Sequence, residues 1–310
     1  MPLFLLIFLT FFGGKPEDSR QIAITIDDLP FVGGGNDYEI ALTGTQKILG
    51  HLQSADVPAI GFVNEIKLEK NGEVEKRRVD LLQMWLDAGM DLGNHAWSHM
   101  DYHNNDFEAF SHDILKGERV TRPLVNKAGR KFRYFRHPYL HTGDSPEKQA
   151  ALKTFLKKNK YIEAPVTVDN SEWIYAQAYG NAVKSNDTQM MDSIGRSYVK
   201  YMEDKLAWYE QQSEKLFGYE IRQVLLIHAN LINADYLDDL ILMMKIRNYK
   251  IVTLNEALKD PCYKTESTFT GRGGISWLDR WALTKGYKGD FFKGEPTCPE
   301  FVQDVAGIRE

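Results

Sequence analysis

Residues 22–30 read Ile-Ala-Ile-Thr-Ile-Asp-Asp-Leu-Pro, a run in which β-branched side chains give way abruptly to two adjacent carboxylates. Such a run reads as a short buried strand. In regular strand geometry Asp27 and Asp28 point to opposite faces. Both reach one site only if the strand stops there, as Leu29-Pro30 and the run Gly33-Gly34-Gly35 suggest. Two neighbouring negative charges also call for a positive one beside them, a metal ion or an arginine. An Asp-Asp pair alone more often belongs to a solvated turn, so its meaning depends on the rest of the chain.

Outward from this strand, helical spacing predicts a helix over 38–53, then a strand over 58–63 and a charged helix over 72–88. A strand over 90–94 runs straight into His95, followed by a helix over 107–126 and a strand over 132–136. Ser145-Pro146 reads as a cap and first helical position of a helix ending near Lys160, and 161–168 is strand-like. A long amphipathic helix over 187–217 stops at Gly218, and strands over 224–227 and 251–254 flank a helix over 234–246. About seven alternations of strand and helix imply an α/β fold, a distorted (β/α) barrel of about seven parallel strands. In such folds chemistry gathers beyond the strand ends.

The chain has 310 residues, 43% of them hydrophobic and 26% charged, which suits one large globular domain. A net charge of −5 without a basic arm argues against nucleic acid as a partner, and nothing marks an obligate protein partner. The apolar run over 3–12 is too short to cross a bilayer but suits a secretory signal, which predicts a signal peptide over 1–19 and an exported protein. The remainder divides into a domain over 20–258 and an irregular extension over 259–310. That extension holds both cysteines, and in an exported protein a Cys262–Cys298 disulfide would staple it.

The suspicious polar groups sit just past the predicted strands. Asp27 and Asp28 follow the first strand, His95-Ala-Trp-Ser-His99 the third, and Arg136-His-Pro-Tyr139 the fourth. Asp169-Asn-Ser-Glu-Trp173 follows the fifth and His228 the sixth. Histidines four apart share one face of a helical turn and can grip one ion. Two histidines and one carboxylate form a catalytic zinc shell with positions left open, leaving the other aspartate free as a base. His228 has an intrinsic pKa suited to protonating a departing atom, and Arg136 would hold the base ionised. This is machinery for hydrolysing an amide or an ester.

On these residues the chain resembles the polysaccharide deacetylase family, whose shared unit is the NodB homology domain of carbohydrate esterase family 4. The resemblance spans 21–258 with five motifs in the family's order. It implies Asp27 as general base and Asp28, His95 and His99 as ligands of one divalent metal, zinc by preference. Arg136 would orient the base, with Pro138 and Tyr139 shaping the turn whose backbone N–H holds the oxyanion. Trp173 would wall the acetyl pocket, Asp169 and Glu172 would tune the arginine or the acid, and His228 would be the general acid. Ile26, Leu29, Ala96 and Glu172 depart from the family pattern, which bears on loop shape rather than on ligands or proton carriers.

The implied substrate is an acetylated carbohydrate, such as chitin oligomers or the glycan of peptidoglycan, with N-acetyl removal favoured. O-acetyl xylan and small non-peptide amides are the chemical alternatives, and a catalytically inactive glycan-binding module is the alternative of another class. His103, His137 and His141 are further candidates for lining a sugar groove, as are Tyr102 and Trp97. His51 and His112 read as ordinary helix residues.

Overall fold

The computed structural model describes residues 20–34 and 37–310, so the expected signal peptide over 1–19 lies outside the described residues. Among the described residues the strands are β1 (Arg20–Leu29), β2 (Ala59–Val63), β3 (Glu69–Lys70), β4 (Glu73–Val74), β5 (Asp91–Asn94), β6 (Tyr134–Phe135), β7 (Ile162–Glu163), β8 (Gln223–His228) and β9 (Tyr249–Ile251). The helices are α1 (Tyr38–Ser54), α2 (Lys76–Asp87), α3 (Phe107–Lys116), α4 (Thr121–Lys127), α5 (Pro146–Lys158) and α6 (Glu172–Lys184). They continue with α7 (Thr188–Phe217), α8 (Leu231–Ile246), α9 (Leu254–Ala257), α10 (Trp277–Thr284) and α11 (Glu300–Ala306).

The opening strand is the axis of the molecule. The parallel sheet runs β7-β6-β5-β2-β1-β8, and β9 also pairs with β1. Past β7 the same run reaches the far edge, where Val168 bridges Leu225 of β8, so the sheet curls into the expected barrel with a weak seam. Ile22, Ile24 and Ile26 are buried with the helices' apolar faces, while Ala23 is buried with Ile60, Phe62, Tyr134 and Val224. This alternation is the strand period of two. Each fully buried isoleucine contributes about 1.5–3 kcal/mol relative to leaving it in water.

Local chemistry sets the helix ends. Asp37 caps α1 by accepting from the N–H of Glu39 and Ile40, and Ser145 caps α5 ahead of Pro146, as its sequence foretold. The helix expected over 107–126 instead breaks at Gly117. A Cβ there would lie 2.6 Å from the carbonyl carbon of Ala96, so only glycine lets this helix end press against the loop after β5. The helix expected from 72 starts at Lys76, because β3 and β4 form a small hairpin before it. The strand expected over 161–168 keeps regular pairing only at Ile162–Glu163. The last predicted strand ends at Ile251, where Thr253 caps α9.

The segment after 258 is more ordered than its composition suggested. Its α11 packs on α6 and its α10 on α7. The N–H of Trp277 donates to the carbonyl of Val166 at 2.7 Å, which ties the extension to the barrel seam. The expected Cys262–Cys298 disulfide is not formed: both thiols are buried and free. They occupy separate neighbourhoods, Cys262 beside Asp260 and Cys298 beside Tyr175 and Glu310. Among the described residues no helix is long and apolar enough to cross a membrane.

Candidate active site

The two aspartates do not end their strand; they bulge it. Pairing between β1 and β2 slips between Ile26 and Leu29, and Asp28 takes a φ of 69°. A bulge re-aims a side chain that regular pleating would send to the other face. Asp27, level with His228 in the β1–β8 ladder, keeps its strand direction, and Asp28 is swung round beside it.

Asp28 Oδ1 lies 3.7 Å from His95 Nε2 and 3.7 Å from His99 Nε2. The two histidines do not share a helical turn as their spacing suggested. They sit on a bent loop with Ala96 at φ 62° and His99 at φ 59°, which brings the ring centroids to 4.8 Å. Asp113 holds this loop by accepting from the N–H of Trp97 and Ser98 and from the Ser98 hydroxyl. Where the family pattern has a hydroxyl, Ala96 is instead secured by its N–H donating to Asn94 Oδ1 at 2.7 Å. His95 Nδ1 is 2.9 Å from the carbonyl of Arg136, which turns Nε2 toward the aspartate.

The donor set fits a divalent cation. Ligand atoms about 2.1 Å from a tetrahedral ion stand about 3.4 Å apart, close to the spacing seen. Asp28 Oδ1 is buried with no hydrogen-bond partner, an arrangement that costs stability unless something fills the gap. Burial pushes the pKa of His95 well down and that of His99 down, favouring the neutral imidazoles that bind metal. Burial alone would raise Asp28, but Lys67, His99, His228 and His95 together hold it well below the usual carboxylate range.

Lys67 is the residue that sequence reasoning missed. Its Nζ donates to the Asp28 carbonyl at 3.0 Å and lies 3.5 Å from Asp28 Oδ2. In the sequence it sits within Glu65-Ile-Lys-Leu-Glu-Lys, which looks like a solvated charge run. The signal that could have found it is its place after β2, at the same barrel end as every other motif.

Asp27 is only 2% exposed, and its Oδ1 has no hydrogen-bond partner. Burial raises its pKa to about 6, with Arg136 pulling the other way from 3.8 Å. Arg136 is fully buried, donates from Nη2 to Thr25 Oγ1 at 2.7 Å and lies 4.8 Å from the Phe62 ring centre. Burial lowers its pKa, opposed by Asp27 and then Asp169, so both carboxylates bear on the one guanidinium.

His228 ends β8 with Nδ1 2.7 Å from Glu172 Oε2. Glu172 is fully buried, and its other oxygen accepts from the side-chain amides of Asn230 and Asn233. Burial disfavours protonated His228, but the Glu172 charge and hydrogen bond outweigh it, and the pKa rises to about 9. Of the two tuning acids expected, Glu172 serves the histidine. Asp169 accepts from the N–H of Asn170 and does not reach it; burial raises Asp169 to about 6. The two asparagines follow β8 directly, yet nothing in the sequence pairs them with Glu172.

Tyr139, beside His99, is 54% exposed, and Trp173, which follows Glu172 in α6, is 49% exposed. Tyr139 follows Pro138 with a φ of 56°, and its ring meets the His99 ring edge-on at 4.4 Å. The C-terminal extension buttresses this turn. Arg280 donates to Leu140 O and to Thr142 Oγ1, and a Cβ on Gly274 would lie 1.9 Å from Tyr139 O. His137 is buried against Glu163, and Tyr102 is buried with its hydroxyl on Lys148 O, so neither lines a groove. The Trp97 indole N–H is spent on Glu69.

One rim of an α/β barrel thus carries paired carboxylates, a bent His–x–x–x–His loop and a buried arginine. Residues 14–158 match the family model described as Polysaccharide deacetylase, which bears out the resemblance carried by the motifs. A peptidoglycan-N-acetylglucosamine deacetylase of Bacillus cereus is 28% identical over 173 residues, 55% of this chain and 54% of that protein. The chain therefore spans about half the length of that relative. Among solved structures, a mutant of a carbohydrate esterase family 4 pseudoenzyme aligns with a TM-score of 0.52 at 19% identity, over 78% of this chain and 68% of its own. A peptidoglycan N-acetylglucosamine deacetylase complex aligns with a TM-score of 0.50 at 20% identity, over 78% of this chain and 89% of its own. These structural likenesses establish the shared fold.

Proposed function

We propose that the chain is a metal-dependent hydrolase that removes acetyl groups, N-acetyl in preference, from a cell-wall type of glycan such as that of peptidoglycan. The observation that carries this reading is the unpartnered, buried Asp28 Oδ1 facing two imidazole nitrogens at 3.7 Å. Beside it stand one carboxylate and one imidazole whose proton affinities are pushed far apart, to about 6 and about 9. Two groups so separated are fitted to act as base and acid at neutral pH. Two exposed aromatics, Tyr139 and Trp173, offer faces on which a sugar ring can stack.

Asp28, His95 and His99 would hold the ion. A divalent cation there supplies Lewis-acid polarisation of the acyl carbonyl and makes an attacking water more acidic. Asp27 is ionised near neutral pH, and its Oδ1 is free to take the proton from that water as the oxygen attacks the acyl carbon. Arg136 steadies the Asp27 charge through Oδ2. Because Glu172 occupies Nδ1 of His228, the proton held on Nε2 passes to the leaving amine nitrogen. The carbon–nitrogen bond breaks, and acetate and a free amine depart. The turn at Pro138–Tyr139 presents backbone to the developing oxyanion.

The name of the relative supports peptidoglycan as the substrate, and a substrate of that kind fits a protein associated with the cell envelope. Acetate release from N-acetylglucosamine oligomers and from acetylated xylan, with and without a chelator, tests the reading. Chelator-sensitive release from the former is expected, with Asp27→Asn abolishing turnover while zinc stays bound. Loss of zinc in Asp27→Asn would show the two aspartates exchanged. Absence of release from every acetylated glycan would leave a binding module.

A further inference from the structure

A second constellation stands next to the first and takes no part in the proposed chemistry. Asp101 lies two residues beyond His99, His141 lies two beyond Tyr139, and His103 completes the group. Their ligand atoms all fall within 4.8 Å of one another, the same limit that gathers Asp28, His95 and His99. His141 Nδ1 is 2.6 Å from Asp101 Oδ1, and the rings of His103 and His141 are parallel at 5° with centroids 3.8 Å apart.

The telling atom is His103 Nδ1. The residue is only 7% exposed, and this nitrogen is buried without a hydrogen-bond partner. The ring's hydrogen bond goes to the backbone of Arg272. A histidine pinned by a backbone partner with its other nitrogen left bare has the outer-shell arrangement of a metal ligand. The backbone around the group is fixed as well. Asp101 Oδ1 accepts from the His103 N–H, Asn105 donates to Asp101 O, and Lys148 Nζ binds Tyr102 O and His103 O.

We propose that Asp101, His103 and His141 form a second site for a transition-metal ion of the zinc type, distinct from the one at Asp28. One carboxylate and two imidazoles suit zinc better than calcium or magnesium, which prefer oxygen. An ion there would displace the proton between Asp101 and His141, and the stacked rings of His103 and His141 would have to tilt out of parallel for both lone pairs to converge on it. Because residues 99–103 carry His99 as well as Asp101 and His103, and residues 139–141 carry Tyr139 as well as His141, a cation here would fasten the histidine loop to the Pro138–Tyr139 turn.

The test is zinc stoichiometry of the full chain, stripped with chelator, reloaded and assayed by elemental analysis and calorimetric titration. Two equivalents are expected for the unaltered protein, one for His103→Ala and for Asp101→Asn, and one for Asp28→Asn with His95→Ala. The last variant keeps the outcome readable without the first site or any activity. One equivalent in the unaltered protein, or two retained in His103→Ala, would overturn the proposal. Should His103→Ala fail to fold, the unaltered protein and the Asp28→Asn, His95→Ala variant decide it together. Loss of all zinc in that double variant would place no ion at Asp101.

Discussion

Replacing Glu172 by glutamine removes one charge from a buried pair and keeps its shape. The His228 side chain is 25% exposed and that of Glu172 is fully buried, so solvent screens the pair little. Glu172 raises His228 from 6.5 to about 9 against the burial that opposes it. At about 1.4 kcal/mol per tenfold change in proton affinity, that elevation corresponds to about 3 kcal/mol. Without the carboxylate, His228 returns to about 6.5 or lower, because burial then opposes only the more distant Asp28 and Asp27. If the acid must be protonated, kcat/KM at pH 8 falls about 30-fold while at pH 6 it stays within about twofold. The alkaline limb of the pH profile moves from about 9 to about 6.5. The same pair contributes to stability: its share is complete below pH 6.5 and is lost as pH rises through about 9, so Glu172→Gln flattens that part of the stability curve. A pH-rate series on both proteins against one acetylated oligomer is the assay. A variant whose alkaline limb remains near 9, or whose loss is uniform across pH, refutes the role assigned to the pair.

Two further substitutions probe the surroundings. Lys67→Met removes the cation anchoring Asp28, and zinc affinity is expected to weaken about 10- to 100-fold, read by competition with a chromogenic chelator; unchanged affinity would make Lys67 incidental. Gly274→Ala drives a methyl group into the carbonyl of Tyr139, so kcat/KM should fall at least about tenfold with zinc content intact; a normal rate would show that the extension does not set the turn.

The candidate site was legible in the chain because its residues follow strand ends in order, and parallel α/β topology gathers such residues at one rim. Asp27, Asp28, His95, His99, Arg136 and His228 come together on that principle. Where the two aspartates aim was not legible, since a bulge depends on pairing with β2 and not on the run itself. Lys67 escaped because burial of a lysine is decided by distant elements: Glu65, next door, accepts from the N–H of Val120 and Thr121 and draws the whole turn inward. Helix α6 is hard to read from sequence although Ile174, Tyr175, Ala178, Tyr179 and Ala182 recur at helical spacing and are buried, because only its end residues Glu172 and Lys184 are charged and its two faces contrast little. The extension after 258 lacked periodicity because its helices are short: α10 is buried all round from Trp277 to Ala282, and α11 buries only Val302 and Ala306.

The stitch between Trp277 and Val166 gives the tail a leverage that its distance in sequence conceals. A segment fastened to the barrel's weakest joint and wedged under the Tyr139 turn can reshape the entrance without altering any residue of the candidate site. Randomising 269–276 is therefore a way to vary that entrance while Asp27, Asp28, His95, His99 and His228 stay in place.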